Sequence, residues 1–251
     1  MKKLVVFTGA GVSAESGIAT FRASDGLWEN HRIEDVASPE GWAKDPSLVL
    51  DFYNMRRAQA RKALPNLAHE TICELEQWFD VVVVTQNIDN LHERAGSRRV
   101  IHLHGSIFHA RGTGKNEELV VLDSDDIQIG DLASDGSQLR PHIVWFGEAV
   151  PMMDFAIEEV LSADALLVVG TSLQVYPAAS LLTYLPSGKP IFLVDPSPSI
   201  PSVGKNLEVI KSKAVEGLPL VKDMLLRHFN ITTSLLLLLQ YFFPSGFRKS
   251  E

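Results

Sequence analysis

Four groups of residues in this chain have types and spacings that could do chemistry. The first is the histidine pair in Val100-Ile101-His102-Leu103-His104-Gly105. A neutral imidazole, with an ordinary pKa near 6.5, can take a proton from a hydroxyl at physiological pH. Histidines two apart on one strand would point the same way and could ligate a metal, but nothing nearby completes a donor set. The second group is Thr85-Gln86-Asn87-Ile88-Asp89-Asn90-Leu91-His92, directly after Val81-Val82-Val83-Val84. Ligands in open α/β sheets gather at the carboxyl ends of strands. A helix start capped by Asn87 or Asp89 would use the same residues. The third is Gly9-x-Gly11-x-x-Ala14 after Leu4-Val5-Val6-Phe7, which fits the dinucleotide fingerprint in its G/A form. Its glycines would let the backbone turn and approach a pyrophosphate. A helix beginning near Ser13, Glu15 and Ser16 would aim N–H groups and a positive dipole end at that anion. A bare glycine turn would show the same pattern. The fourth is Tyr53 with Arg56, three apart and so neighbours on a helix surface; spacing alone makes them a half-buried phenol and a solvated cation.

Strands and helices must hold these groups. Leu4 to Phe7, Val81 to Val84, Ala165 to Val169 and Ile191 to Val194 are short apolar runs without alternation, which suits parallel strands covered on both faces. Leu207 to Ile210 could be a last strand. Gly170-Thr171-Ser172 and Asp195-Pro196-Ser197 put small polar residues at strand ends. Asp45-Pro46-Ser47 predicts a helix start continuing through Arg57, with Leu48, Phe52 and Met55 on one face. Pro65-Asn66 breaks it, and Ala68 to Trp78 makes a second helix. Asp154 to Ala163 and Gly217 to Phe229 are further helices. Val100 to Ser106 suggests a short strand, and Leu139 to Glu148 a strand with an aromatic end. Gly112 to Gln138 is polar, acidic and rich in Gly, Ser and Asp, a loop or small module.

Composition narrows the class. The chain has 251 residues, 45% of them hydrophobic, enough for one large domain or one domain with an insertion. Net charge is −8, with 23 basic against 31 acidic residues, so no nucleic-acid-binding surface is expected. The single cysteine, Cys73, excludes an internal disulfide and fits a reducing compartment. Thr8-Gly9 interrupts any signal-peptide core, so the expected location is cytoplasmic. Leu235 to Leu239 with Tyr241, Phe242 and Phe243 is an apolar run broken by Gln240, and a membrane span needs about 20 residues. It is expected to pack or to form a disordered tail.

Taken in order, GAGVSAESGI with TFR, QNID, HLHG, LRPHIVWFGE and GTSLQVYPAA resemble the sirtuins, the NAD-dependent protein-lysine deacylases, over roughly residues 3 to 229. The resemblance implies an α/β fold: a Rossmann-like doubly wound parallel sheet with a small insertion-built second domain. Its core would be about 1–28, 79–104 and 143–229, its helical insertion 29–78 and its small module 105–142, with an apolar tail at 230–251. NAD would be the cofactor, touched by Gly9, Ala10, Gly11, Ala14, Glu15, Gly17, Ile18, Phe21, Arg22 and Trp28. Further NAD contacts would come from Gln86, Asn87, Asp89, His104, Gly170, Thr171, Ser172, Asp195 and Ala214. By the same match Asn87 positions the ribose and a water, Asp89 holds the nicotinamide carboxamide, and His104 is the catalytic histidine.

Two departures from the family stand out. Most sirtuins carry two Cys-x-x-Cys pairs on a structural zinc; Gly112, Lys115, Leu132 and Asp135 occupy those places here, so no zinc is expected. The family's Asn-x-Glu at the adenosine ribose becomes Leu193 and Asp195. The acyl-lysine partner, a protein or peptide, would lie between Val144, Phe146, Gly147 and Glu148 on one lip and Gln174, Val175 and Tyr176 on the other, paired by strand addition. Ala37, Tyr53 and Arg56 resemble the pocket of the sirtuin class that removes succinyl and malonyl groups, where phenol and guanidinium hold the distal carboxylate. The implied reaction is acyl transfer: the acyl oxygen displaces nicotinamide, His104 activates a ribose hydroxyl, and water releases lysine and O-acyl-ADP-ribose. A mono-ADP-ribosyltransferase or a non-catalytic NAD sensor would use the same cleft.

Overall fold

The computed structural model describes residues 1–19, 27–28, 31–114, 118–122, 126–198 and 206–231. Phe21, Arg22, Lys115 and most of the apolar tail lie outside them. In chain order the elements are β1 (Lys2–Thr8), β2 (Leu27–Trp28), β3 (His31–Arg32), α1 (Ile33–Val36), α2 (Pro39–Lys44), α3 (Pro46–Lys62) and α4 (Leu67–Leu75). Then follow β4 (Phe79–Thr85), α5 (Leu91–Ala95), β5 (Val100–His102), β6 (Gly105–Gly112), β7 (Leu119–Val121) and β8 (Leu139–Ile143). The chain closes with α6 (Met153–Leu161), β9 (Ala165–Val169), β10 (Ile191–Val194), β11 (Leu207–Ile210) and α7 (Ala214–His228).

Six strands, all parallel, form the main sheet in the order β11-β10-β9-β1-β4-β5. Strands added after β1 go to one side through β4 and to the other through β9. The order therefore reverses at β1, and a crevice opens beyond its carboxyl end. Leu4 and Val6 face a core built with α4 and α7, while Val5 and Phe7 face a second core with α6 and the 3-10 segment Ala178–Tyr184. All four are 0% exposed, which is why an unbroken apolar run rather than alternation marks these strands.

Several local expectations are corrected. No α-helix follows the glycine turn: Ala10–Val12 and Ala14–Ser16 are two 3-10 turns, closed by Gly17 at φ 84°. Ser13, at their junction, directs its hydroxyl to Asp89 instead of capping a helix. α3 starts as expected, with Asp45 Oδ1 accepting from Leu48 N at 3.0 Å. Its buried face differs: Met55 is 39% exposed, whereas Tyr53, Arg56 and Arg57 are buried. α4 ends at Leu75, before Trp78, and α7 begins at Ala214, before Gly217. The expected strand across Val100 to Ser106 is two strands, because the chain turns at Leu103 and His104. β8 stops at Ile143, and the aromatic end beyond it turns. Among the described residues no helix is long and apolar enough to cross a membrane.

β7, β6 and β8 make a small antiparallel sheet beside the main one. Its residues do not fit a zinc ion. Cys73 lies on α4, Asp135 is bonded to Ser137, and no group of three His, Cys, Asp or Glu among the described residues could hold a metal. Side chains of α3 grip the module's backbone instead. Asn54 bonds Ile127 in both directions, Nδ2 to O at 3.0 Å and N to Oδ1 at 3.1 Å. Arg57 Nε donates to Ile107 O at 2.8 Å, its Nη1 donates to Asn54 Oδ1 at 2.8 Å, and Arg61 Nη2 donates to Leu122 O. Arg57 is 1% exposed; burial pulls its pKa down to about 10, so it stays charged at neutral pH. Arg57→Met should lower the free energy of unfolding by roughly 1–3 kcal/mol, since buried carbonyls lose their donor. Urea titration reads this as a lower midpoint at unchanged slope, while a chelator leaves the wild-type midpoint in place.

Candidate active site

A cavity of about 1010 Å³ opens beyond the carboxyl ends of β1, β4, β9 and β10. Small-molecule pockets run from roughly 300 to 1,000 Å³, so it has room for a dinucleotide. The turn after β1 brings Gly9, Ala10, Gly11, Ala14, Glu15 and Ile18 to its wall. Gln86, Asn87 and Asp89 follow β4, Gly170, Thr171 and Ser172 follow β9, Asp195 follows β10, and Ala214 opens α7. Across from them stand Trp28, Ala37, Tyr53, Arg56, Val144, Phe146, Gly147, Glu148, Val175 and Tyr176, with His104 between the two sets. Gly17 is the described candidate that does not border the cavity. Its left-handed backbone ends a 3-10 turn, and a Cβ there would meet nothing within 4 Å. Leu193, inside β10, is 0% exposed and belongs to the core.

The glycines of the opening turn have a reason other than ligand approach. A Cβ on Gly11 would stand 2.7 Å from Gly170 Cα, and one on Gly9 would stand 2.8 Å from Thr171 Cβ. Gly170, at φ 61°, would place its own Cβ 2.4 Å from Val12 N. The turns after β1 and β9 therefore pack backbone on backbone, tied by Gly9 N to Val169 O at 3.1 Å and Gly11 N to Gly170 O at 2.8 Å. That contact brings Thr171 to Gln86, whose Nε2 donates to its Oγ1 at 2.9 Å.

A buried polar chain fixes the residues after β4. Asn87 Nδ2 donates to Ser13 Oγ at 3.1 Å, and Ser13 Oγ donates to Asp89 Oδ2 at 3.1 Å. Asp89 Oδ1 accepts from Leu91 N at 3.0 Å. Burial raises the Asp89 pKa, with the Leu91 and Ser13 bonds opposing it. Behind lie Thr8, Thr85, His69 and His92; His92 Nε2 is 3.0 Å from Thr8 Oγ1, and the two imidazoles are 4.9 Å apart. Burial holds His69 down at about 4 and His92 well below the usual value, so both stay neutral. Sequence reasoning missed this chain except for the polar run itself, because Thr8 meets His92 across 84 residues and Ser13 meets His69 across 56.

The two histidines of the HLHG run have different surroundings. His104 Nδ1 lies 3.0 Å from Gln86 O, which can only accept, so Nδ1 carries the hydrogen and Nε2 is left as a base. Burial lowers its pKa, partly offset by that bond. His102 lies between two acceptors, Asn87 O at 2.8 Å and Glu93 Oε1 at 2.7 Å. Burial lowers its pKa, but the bond and charge of Glu93 prevail, and the net direction is up.

The lip after β8 is a closed turn. Val144 N donates to His104 O at 3.0 Å, Trp145 N to Glu148 Oε2 at 2.8 Å, Phe146 N to Ala37 O at 2.9 Å and Glu148 N to Trp145 O at 3.0 Å. A peptide pairing here must use the Gly147 amide and carbonyl oxygens. Arg140 holds the turn, bonding both Glu148 oxygens at 2.7 and 3.1 Å.

Residues 9–177 match the model of the Sir2 family. The chain belongs to the Sir2 family. It is 52% identical over 218 residues to an NAD-dependent protein deacylase of Helicobacter pylori (strain ATCC 700392 / 26695), covering 87% of this chain and 95% of the relative. A crystal structure of a Sir2 homolog–NAD complex aligns with TM-score 0.78 at 44% identity, covering 90% of this chain and 89% of the other. A structure of Sir2 bound to acetylated peptide aligns with TM-score 0.74 at 30% identity, covering 92% and 94%.

In this Sir2 chain an imidazole NMR titration should find His104 with a midpoint below 6.5 and His102 above it. The His102–Glu93 pair stabilises the fold only while both are charged. Its contribution appears above 4.5, the ordinary Glu93 value, and is lost as pH rises through the raised His102 pKa. Glu93→Gln should therefore lower the melting temperature inside that window and matter least above it.

Proposed function

We propose that this Sir2-family protein is an NAD-dependent protein-lysine deacylase that removes acetyl groups and also succinyl and malonyl groups, releasing nicotinamide and O-acyl-ADP-ribose. The observation that carries it is the placement of an Nε2 base on His104 in one cavity with a buried phenol and guanidinium, Tyr53 and Arg56.

The donor set fits NAD. The packed glycine turns, the Thr171 and Ser172 hydroxyls and the Asp195 carboxylate stand at a sheet's reversal point, where dinucleotides bind. When bound, NAD supplies an electrophilic ribose carbon with nicotinamide as leaving group. Asp89, its pKa raised by burial, can face a carboxamide, and Asn87 is locked by Ser13 to orient a ribose hydroxyl or water. His104 Nε2 accepts the proton of a ribose hydroxyl; its neutrality is maintained by burial.

Tyr53 and Arg56 give the acyl preference. Arg56 is 6% exposed and lies with its guanidinium carbon 4.8 Å from the Trp28 ring centroid, so its charge rests on an aromatic face. A fork of this kind binds a carboxylate at two points. Burial pushes the Tyr53 phenol far up, so it stays a donor. Ala37 borders the same cavity with a single methyl group. The module works without zinc, on its α3 contacts.

Tyr53→Phe with Arg56→Met should cut kcat/KM for succinyl- and malonyl-lysine peptides by roughly a hundredfold or more, two charge-assisted contacts being lost. Acetyl-lysine activity should change little. Equal losses for all three peptides would defeat the pocket assignment. His104→Ala should cut deacylation by roughly 10²–10⁴. Wild-type activity should be level above pH 6.5 and fall as pH drops through the lowered His104 pKa, since the protonated ring is no base.

A further inference from the structure

We propose that Trp145 is a positioning residue for acidic acyl groups: its indole N–H occupies the acceptor side of the Tyr53 phenol and leaves the phenol's hydrogen for the ligand's carboxylate. This rests on the acidic-acyl reading above and adds to it a residue that touches no reacting atom.

Trp145 is 2% exposed and Tyr53 0%. Trp145 Nε1 donates to Tyr53 Oη at 3.2 Å. An indole nitrogen only donates, so the phenol oxygen must accept in this bond. The phenol's own O–H then needs an acceptor, and among the described residues none is bonded to it. A fully buried hydroxyl with an unused donor costs stability unless something accepts from it. Tyr53 borders the cavity beside Arg56, so an anion bound to that guanidinium is the acceptor within reach. With the indole N–H on its oxygen, the phenol is oriented to offer its own O–H as donor.

The indole is itself held. The Arg140 guanidinium carbon lies 3.2 Å from its ring centroid, stacked on the face. Arg140 is fixed by both Glu148 oxygens and by donating from Nη2 to Ile143 O at 2.9 Å. Trp145 N donates to the same Glu148 carboxylate at 2.8 Å. A bonded line thus runs from the peptide-facing lip at Glu148 through Arg140 and Trp145 to the acyl pocket.

Trp145→Phe removes the indole N–H and keeps an aromatic face under Arg140. Losing one neutral hydrogen bond should raise KM for a succinyl-lysine peptide about three- to tenfold with kcat nearly unchanged. KM for the acetyl-lysine peptide should stay within about twofold, because no carboxylate meets the phenol. A merely structural role would move both peptides together, and that result, or no change for succinyl, would overturn the proposal. Tyr53→Phe with Trp145→Phe should lose no more succinyl activity than Tyr53→Phe alone; multiplying losses would also overturn it. Arg56→Met serves as the control for the underlying reading. If it removes the succinyl preference while Trp145→Phe does not, the role of Trp145 falls and the pocket stands; if it leaves the preference intact, the pocket itself falls. Should Trp145→Phe fail to fold, the assigned Trp145 indole N–H resonance of the wild type should shift on adding succinyl-lysine peptide and hold still with acetyl-lysine peptide. The same response to both would refute the assignment.

Discussion

Two backbone turns in direct contact set the geometry of the cavity. Gly9 to Gly11 after β1 and Gly170 after β9 approach so closely that any side chain at Gly11 or Gly170 would collide with main-chain atoms. Parallel pairing of β1 with β9 and β4 brings all three carboxyl ends to one level. The result is a shelf of small residues at the point where strand order reverses, which is where an open parallel sheet leaves room for a ligand. The glycines serve this contact; the short 3-10 turns after them replace the long helix that dinucleotide folds usually place there.

Burial then sorts the ionisable groups. His69, His92 and His104 are all pushed towards the neutral form, but only His104 borders the cavity with one nitrogen tied to a carbonyl. His102, two residues away, has acceptors on both sides and moves the other way. The same side-chain type thus becomes a base in one place and the partner of a carboxylate in the other, decided by what each nitrogen faces.

α3 does two jobs with consecutive residues. Tyr53 and Arg56 border the cavity, while Asn54, Arg57 and Arg61 grip backbone groups of the small antiparallel module. A helix turns about 100° per residue, so the two sets fall on adjacent faces of α3, one toward the cavity and one toward the module. The module's register against the cavity is therefore carried by buried hydrogen bonds from one helix.

The central strands of the main sheet were legible because burial on both faces forces unbroken apolar runs, and Leu4 to Phe7, Val81 to Val84, Ala165 to Val169 and Ile191 to Val194 fell where the runs lie, while the edge strand Leu207 to Ile210 is only partly buried. The polar strand ends were legible too, since a crevice beyond a strand terminus needs polar residues in sequence right after it. Element ends were less so: the helix expected after Gly11 and the continuous strand through His104 both gave way to turns, because Ser13 and His104 use their side chains on distant partners. By itself the sequence determined where the apolar strands of the main sheet lie along the chain, the cavity's polar residue types and the lack of four cysteines for a thiolate site, all of which follow from local composition. The tertiary structure alone decided which histidine is the base, that Arg57 faces the module while Arg56 faces the cavity, and that Trp145 bonds Tyr53. Each of those depends on groups 18 to 92 residues apart brought to 2.8–3.2 Å, and no local pattern encodes such a meeting.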